Sequence, residues 1–135
     1  MSTSYKILGQ AYVGLTQYEV PGGGSGYYYY GGGGTSYNED LLPVTVYTVP
    51  SGTQAVVTSI FVANHDVIDR TYDLAVVPNG QSLGVKHHIR WDYPVLANDF
   101  DLISSKLSLG SGDKLVILPS AADKIGITIF GLELS

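Results

Sequence analysis

Two strand-length apolar runs joined by a short polar connection constrain this chain more than any other stretch. Residues 48–77, TVPSGTQAVVTSIFVANHDVIDRTYDLAVV, open on the turn signal Val49-Pro50-Ser51-Gly52 and then stay apolar and β-branched over 53–63. Asn64-His65-Asp66 interrupts the run. After Asp69 and Arg70 a second run, Thr71-Tyr72-Asp73-Leu74-Ala75-Val76-Val77, ends at Pro78-Asn79-Gly80. The pattern predicts an antiparallel pair of strands. Alternation puts Tyr72, Leu74 and Val76 on one face of the second strand, opposite Thr71, Asp73 and Ala75. In the first it sets Val56, Ile60 and Val62 against Val57 and Phe61. Strands apolar on both sides are covered on both sides, by a second layer or by a neighbouring subunit.

No segment shows a sustained helical stripe with caps at both ends. Strand-length runs recur instead, separated by Gly, Asn, Asp and Pro. The expected class is therefore all-β: one antiparallel β-sandwich domain over 1–135, of jelly-roll or Greek-key type. A chain of 135 residues buries enough surface to stand without staples, and it has no cysteine to provide any. In the last strand Ile125, Ile127 and Ile129 share a face, then Phe130, Leu132 and Leu134 take the opposite phase. That slip predicts a bulge near Gly131, or burial on both faces.

Charge narrows the function. Only 14 % of residues are charged and the net charge is −5, so a general electrostatic footprint of a nucleic-acid or anionic-lipid binder is missing, which leaves open a local basic patch at Lys86, Arg90 and the histidines between them. The first residues form no hydrophobic signal region, and no run approaches membrane-spanning length. The expectation is a soluble protein made in a cytoplasm. Low charge together with 17 glycines and 11 tyrosines suggests the neutral surface of an assembly component.

Residues 21–40 interrupt the strand pattern with a glycine- and tyrosine-rich loop insertion: Pro21-Gly22-Gly23-Gly24-Ser25-Gly26, then Tyr27, Tyr28, Tyr29 and Tyr30, four more glycines, and Tyr37. Tyrosine offers rigid contact area and one hydroxyl at low entropic cost. Three readings stay open: an arm on a neighbouring subunit or lattice, a contact for glycans, or an inert loop.

Catalytic signatures are missing. The glycine run lacks the Gly-Lys-Ser/Thr ending of a phosphate-binding loop and precedes no strand-to-helix pattern. His87 and His88, adjacent on a strand, point to opposite faces and cannot share one metal ion; His87 would lie with Ile89 and Trp91, His88 with Arg90 and Asp92. Asp99 and Asp101 share a face, but without the alternating acidic ligands of a calcium loop they read as solvated carboxylates beside a turn. No nucleophile elbow accompanies the serines. The expectation is no enzyme, no metal and no cofactor. Trp91, with Tyr93 nearby, is a candidate stacking platform for glycans, although alternation favours placing Trp91 in the core beside Ile89.

Several segments resemble a group of small virion structural proteins of tailed phages, including those of cyanobacteria. These are Tyr5-Lys6-Ile7-Leu8-Gly9-Gln10, the stretch from Tyr47 through Val57, Val62-Ala63-Asn64, Thr71-Tyr72, Val77-Pro78-Asn79-Gly80, Lys86-His87-His88-Ile89 and the Gly110-Ser111-Gly112-Asp113 turn. The resemblance covers most of the chain except the insertion and contains turns and strands, not catalytic motifs. It implies a compact β-sandwich, often in threefold assemblies, that decorates or extends the particle. The expected function is thus a non-enzymatic, self-associating virion protein, exposed on the particle as capsid decoration or cement, or as a tail or neck fibre component. The expected partners are two further copies in a homotrimer and capsid or tail proteins, with the interaction arm at Tyr27, Tyr28, Tyr29, Tyr30 and Tyr37. The alternative is a receptor-binding module that recognises host surface glycans through Tyr and Trp contacts.

Overall fold

The computed structural model describes Thr3–Val13, Gln17–Glu19, Tyr27–Gly33 and residues 42–135. Its strands are β1 (Thr3–Val13), β2 (Gln17–Glu19), β3 (Tyr27–Gly33), β4 (Val44–Thr48), β5 (Gln54–Asn64), β6 (Arg70–Val77), β7 (His88–Val95), β8 (Phe100–Ile103), β9 (Leu107–Leu109), β10 (Lys114–Pro119) and β11 (Ile125–Leu134). A 3-10 turn, Val85–His87, precedes β7. Residues 100–109 form two strands, broken after Ile103.

Two antiparallel sheets face each other. The first has the order β1–β11–β5–β8, with β9 continuing alongside β5; the second has the order β4–β10–β6–β7. Taking β8 and β9 as one interrupted strand, the pairs β1:β11, β4:β10, β5:β8/β9 and β6:β7 are nested around the connection between β6 and β7. A long two-stranded ribbon has been wound so that successive pairs fall in alternate sheets. That is the jelly-roll arrangement. The insertion lies between its first and second strands.

The core fills the space between the sheets. Val57, Ile60, Val62, Ile125, Ile127 and Ile129 come from the first sheet, and Tyr47, Tyr72, Leu74, Leu115 and Ile117 from the second. All are β-branched, branched or aromatic residues at strand positions, so intrinsic preference and burial agree. Tyr72, Leu74 and Val76 do share the inward side.

A bulge beside Gly131 is present, but β11 itself keeps its alternation through Leu132 and the extra residues lie on its neighbours. In β5, Ser59 pairs with Phe130 and Val57 with Gly131, which leaves Thr58 as the bulge. In β1, Ile7 pairs with Phe130 and Gly9 with Ile129, which leaves Leu8. The Thr58 hydroxyl donates to the Phe130 carbonyl at 3.2 Å, satisfying an acceptor beside the irregularity. The phase of β5 therefore changes midway. Val57 joins Ile60 and Val62 inside, and Val56 is on the outside with Phe61, the reverse of what uninterrupted alternation predicts.

Three turns interlock at one end. The Val49 amide donates to the Asp113 carbonyl (2.9 Å) and the Gly112 amide to the Val49 carbonyl (3.0 Å). Asp113 accepts from the amides of Asn79 (2.9 Å) and Gly110 (2.7 Å). Gly112 has φ +84°, a conformation that favours glycine, and a Cβ there would also displace the Asn79 side chain, 2.4 Å away.

Candidate interaction surfaces

Two tyrosine–carboxylate ties fix how the sheets sit on each other. Tyr72, buried on β6, donates its hydroxyl to Asp101 on β8; Arg90 Nε donates to the same carboxylate at 3.2 Å. The Arg90 guanidinium also covers the Tyr93 ring, 4.5 Å from its centroid. Tyr47 on β4 donates to Glu133 on β11 at 2.5 Å, and Lys6 on β1 neutralises Glu133 at 2.6 Å. Burial pushes the hydroxyls of Tyr47 and Tyr72 well above their usual range, and the hydrogen-bonded carboxylates push them further. Lys6, then Tyr47, hold Glu133 below the usual carboxylate range. Asp101 is thus an inter-sheet partner, not a solvated carboxylate.

With the sheets so fixed, the outer side of β1–β11–β5–β8 is apolar and, among the described residues, has no layer packed over it. Tyr5 (62 % exposed), Ile7, Phe61, Phe100 (55 %) and Leu102 all stand on it. Phe61 links Phe100, ring centroids 5.4 Å apart, to Phe130 at 6.2 Å. The neighbouring outward positions Val56, Ser59, Thr128 and Leu132 are neutral as well. Contiguous apolar surface spanning four strands marks an interaction site. The two-sided apolar pattern of β5 is legible in the sequence, but its extension across β1 and β8 comes only from the strand order.

The insertion contains a second element. Tyr27, Tyr28, Tyr29 and Tyr30 lie in β3, where Tyr27 pairs with Glu19, Tyr28 with Tyr18 and Tyr29 with Gln17. So this part of the expected loop is a strand, continued through Gly31, Gly32 and Gly33. Among the described residues the β2–β3 pair is a sheet of its own, in ladder with neither large sheet. Tyr37 lies outside the described residues.

Trp91 and Tyr93 are on β7, an edge strand, and Trp91 is not in the core. It is 59 % exposed, and Tyr93 38 %. The cause is irregular pairing with β6. Tyr72 pairs with Tyr93, Leu74 with Arg90 and Ala75 with His88, so β7 holds one extra residue in each interval. Asp92 takes a left-handed conformation (φ +49°), and alternation fails there. Trp91 is left outward, packed edge to face against His88 at 4.6 Å.

His87 and His88 do separate, but not by strand alternation: His87 ends the 3-10 turn and is not on β7, and it is His88, not His87, that stands beside Trp91. His87 is buried: its Nδ1 accepts from the Gly84 amide (2.9 Å), which puts the proton on Nε2, 2.9 Å from Gln81 Oε1. No group of three or more metal-ligating side chains occurs among the described residues. None of their helices is long and apolar enough to cross a membrane.

No protein-family model matches this sequence, and no curated protein matches it significantly.

Proposed function

We propose that this protein is a non-enzymatic structural component of a phage particle, exposed on its surface and working by self-association. The observation that carries the reading is the apolar, uncharged outer side of β1–β11–β5–β8. A monomer leaves Tyr5, Ile7, Phe61, Phe100 and Leu102 in water, and contact with further copies or a carrier protein removes them from it. The resemblance of its turns and strands to small virion proteins supplies the setting: capsid decoration or cement, or a tail or neck fibre. Jelly rolls recur in capsid proteins, but fold alone assigns no function.

Size supports a role for the insertion. Four strands spaced about 4.8 Å apart and overlapping for about 20 Å offer roughly 400 Å², half of the roughly 800 Å² per partner usual in a stable interface. The β2–β3 pair follows directly from β1 and supplies further surface. An isolated two-stranded sheet is marginal in water, so an arm of this kind is ordered by what it lies on. In a trimer each copy would contribute one face and one arm.

Sedimentation velocity on the purified protein tests the reading, with electron microscopy of labelled particles to place it. A concentration-dependent trimer that cosediments with particles is the expected result. Replacing Tyr27, Tyr28, Tyr29 and Tyr30 with serine should weaken both assembly and incorporation while the sandwich stays folded. A monomer at all concentrations, never found on particles, would overturn it.

A further inference from the structure

The bulged edge strand β7 presents a second surface, independent of the apolar sheet face. We infer that Trp91, with Asp73 and Asp92 beside it, is a binding platform for neutral, hydroxyl-rich oligosaccharides.

Trp91 is the only tryptophan in the chain and stands 59 % exposed on a strand whose regular pairing would have given it to one face or the other. The bulge at Asp92 holds it outward. This conformation is itself tied down: the Asp92 amide donates to Asp73 Oδ1 at 2.6 Å, and the Thr71 hydroxyl donates to Asp92 Oδ1 at 2.9 Å. A non-glycine residue with φ +49° secured on both sides is a constrained position, and its consequence is the presentation of an indole. His88, in edge-to-face contact, restricts the ring further.

The polar groups decide what such a ring receives. Asp73 and Asp92 each commit Oδ1 to the bulge; among the described residues neither Oδ2 is engaged, and Asp73 is half-buried and Asp92 exposed. In the register Asp73 lies opposite the Trp91–Asp92 stretch. An apolar ring face flanked by fixed acceptors matches a pyranose, whose C–H face stacks on indole while its hydroxyls donate to carboxylates. Acidic sugars are disfavoured by both carboxylates and by the net charge of −5. Arg90, the nearest guanidinium in sequence, is already engaged by Asp101 and Tyr93. The platform is shallow, so affinity at one copy is weak, about millimolar, and gains from several copies held together.

Because Trp91 is the sole tryptophan, intrinsic fluorescence of the intact protein reads the site directly. Titration with malto-, cello- and chito-hexaose should give a saturable change with at least one of them. Trp91→Ala should lower affinity about five- to tenfold or more, read by saturation-transfer NMR, with the unfolding midpoint unmoved because the side chain is exposed. Asp92→Asn, which retains left-handed tolerance and the acceptor for Thr71, should weaken binding without altering the fold. No response to any of the three sugars at about 20 mM would overturn the inference. So would binding unaffected by Trp91→Ala, a response to choline but not to sugar, or Trp91 fluorescence that changes only with protein concentration. None of these outcomes bears on self-association through the other sheet.

Discussion

Tyr72 reaches across the sandwich from β6 to donate its hydroxyl to Asp101 on β8, and Arg90 meets the same carboxylate from β7. One carboxylate thereby joins strands of both sheets at the edge where the apolar face ends. A buried hydroxyl requires a partner, and a carboxylate at this depth requires a cation. Each requirement is met by the other two residues.

Tyr72→Phe should therefore destabilise the protein by about 1–3 kcal/mol, the usual cost of losing a hydrogen bond to a charged group. Urea unfolding should show a lower midpoint at unchanged slope. A double-mutant cycle with Asp101→Asn should yield a clear coupling energy, since the two side chains touch. Additive effects would mean that the tie contributes nothing beyond packing.

The second tie, Tyr47–Glu133–Lys6, and the Asp66–Arg70 pair give a pH dependence. Arg70, then the Val67 amide, lower the Asp66 carboxyl; Lys6, then Tyr47, lower Glu133. Both carboxylates have folded values below their unfolded ones, about 3.9 and 4.3. Their stabilisation is complete above those unfolded values and is lost as pH falls through the folded ones. Tyr47 and Tyr72 are raised instead. They favour the fold below an unfolded value of about 10, and that contribution is lost as pH rises beyond it. Urea midpoints should form a plateau between about pH 5 and pH 9 and fall on either side. Glu133→Gln should flatten the acid limb.

Gly131 meets both bulged neighbours of β11. A Cβ there would be 2.3 Å from the Val56 carbonyl oxygen and 2.7 Å from Leu8 Cδ1. The first obstacle is backbone and cannot rotate away. Gly131→Ala should cost about 1–3 kcal/mol or more by overpacking. Gly84→Ala, with nothing nearer than 3.9 Å, should stay within about 0.5 kcal/mol of the parent. Equal thermal midpoints for the two variants would contradict the placement of the bulges.

What the sequence reveals and what it conceals follow the range of the interactions concerned. Pro78-Asn79-Gly80 and Gly110-Ser111-Gly112-Asp113 are legible because turn chemistry is local. The inward set Tyr72, Leu74 and Val76 is legible because β6 keeps its period against β10. Val56 and Val57 exchange sides because the bulge at Thr58 belongs to the pairing with β11, not to β5 alone. Trp91 escapes the core for the same reason, through irregular pairing with β6. The partners Tyr47 and Glu133 stand 86 positions apart. Neither shows in a one-dimensional pattern that the other exists. The outer apolar face was half legible: β5 disclosed Phe61, but only the strand order assembles it with Tyr5, Ile7, Phe100 and Leu102.

That face yields the most direct test of assembly. Phe100 is 55 % exposed and contacts Phe61 at the outer surface, so Phe100→Glu should cost the monomer about 0.5–1.5 kcal/mol, the worth of the aromatic pair, and leave it folded. In a complex that buries the face, the same change forces an unpaired carboxylate out of water in every copy. Leaving a charge buried without a partner costs several kcal/mol, and association should weaken by at least about a hundredfold. Thr45→Glu, at an exposed position on β4 in the other sheet, is the control and should associate as the parent does. Sedimentation velocity across a range of concentrations separates the cases. If Phe100→Glu associates as tightly as Thr45→Glu, the copies do not meet through this sheet.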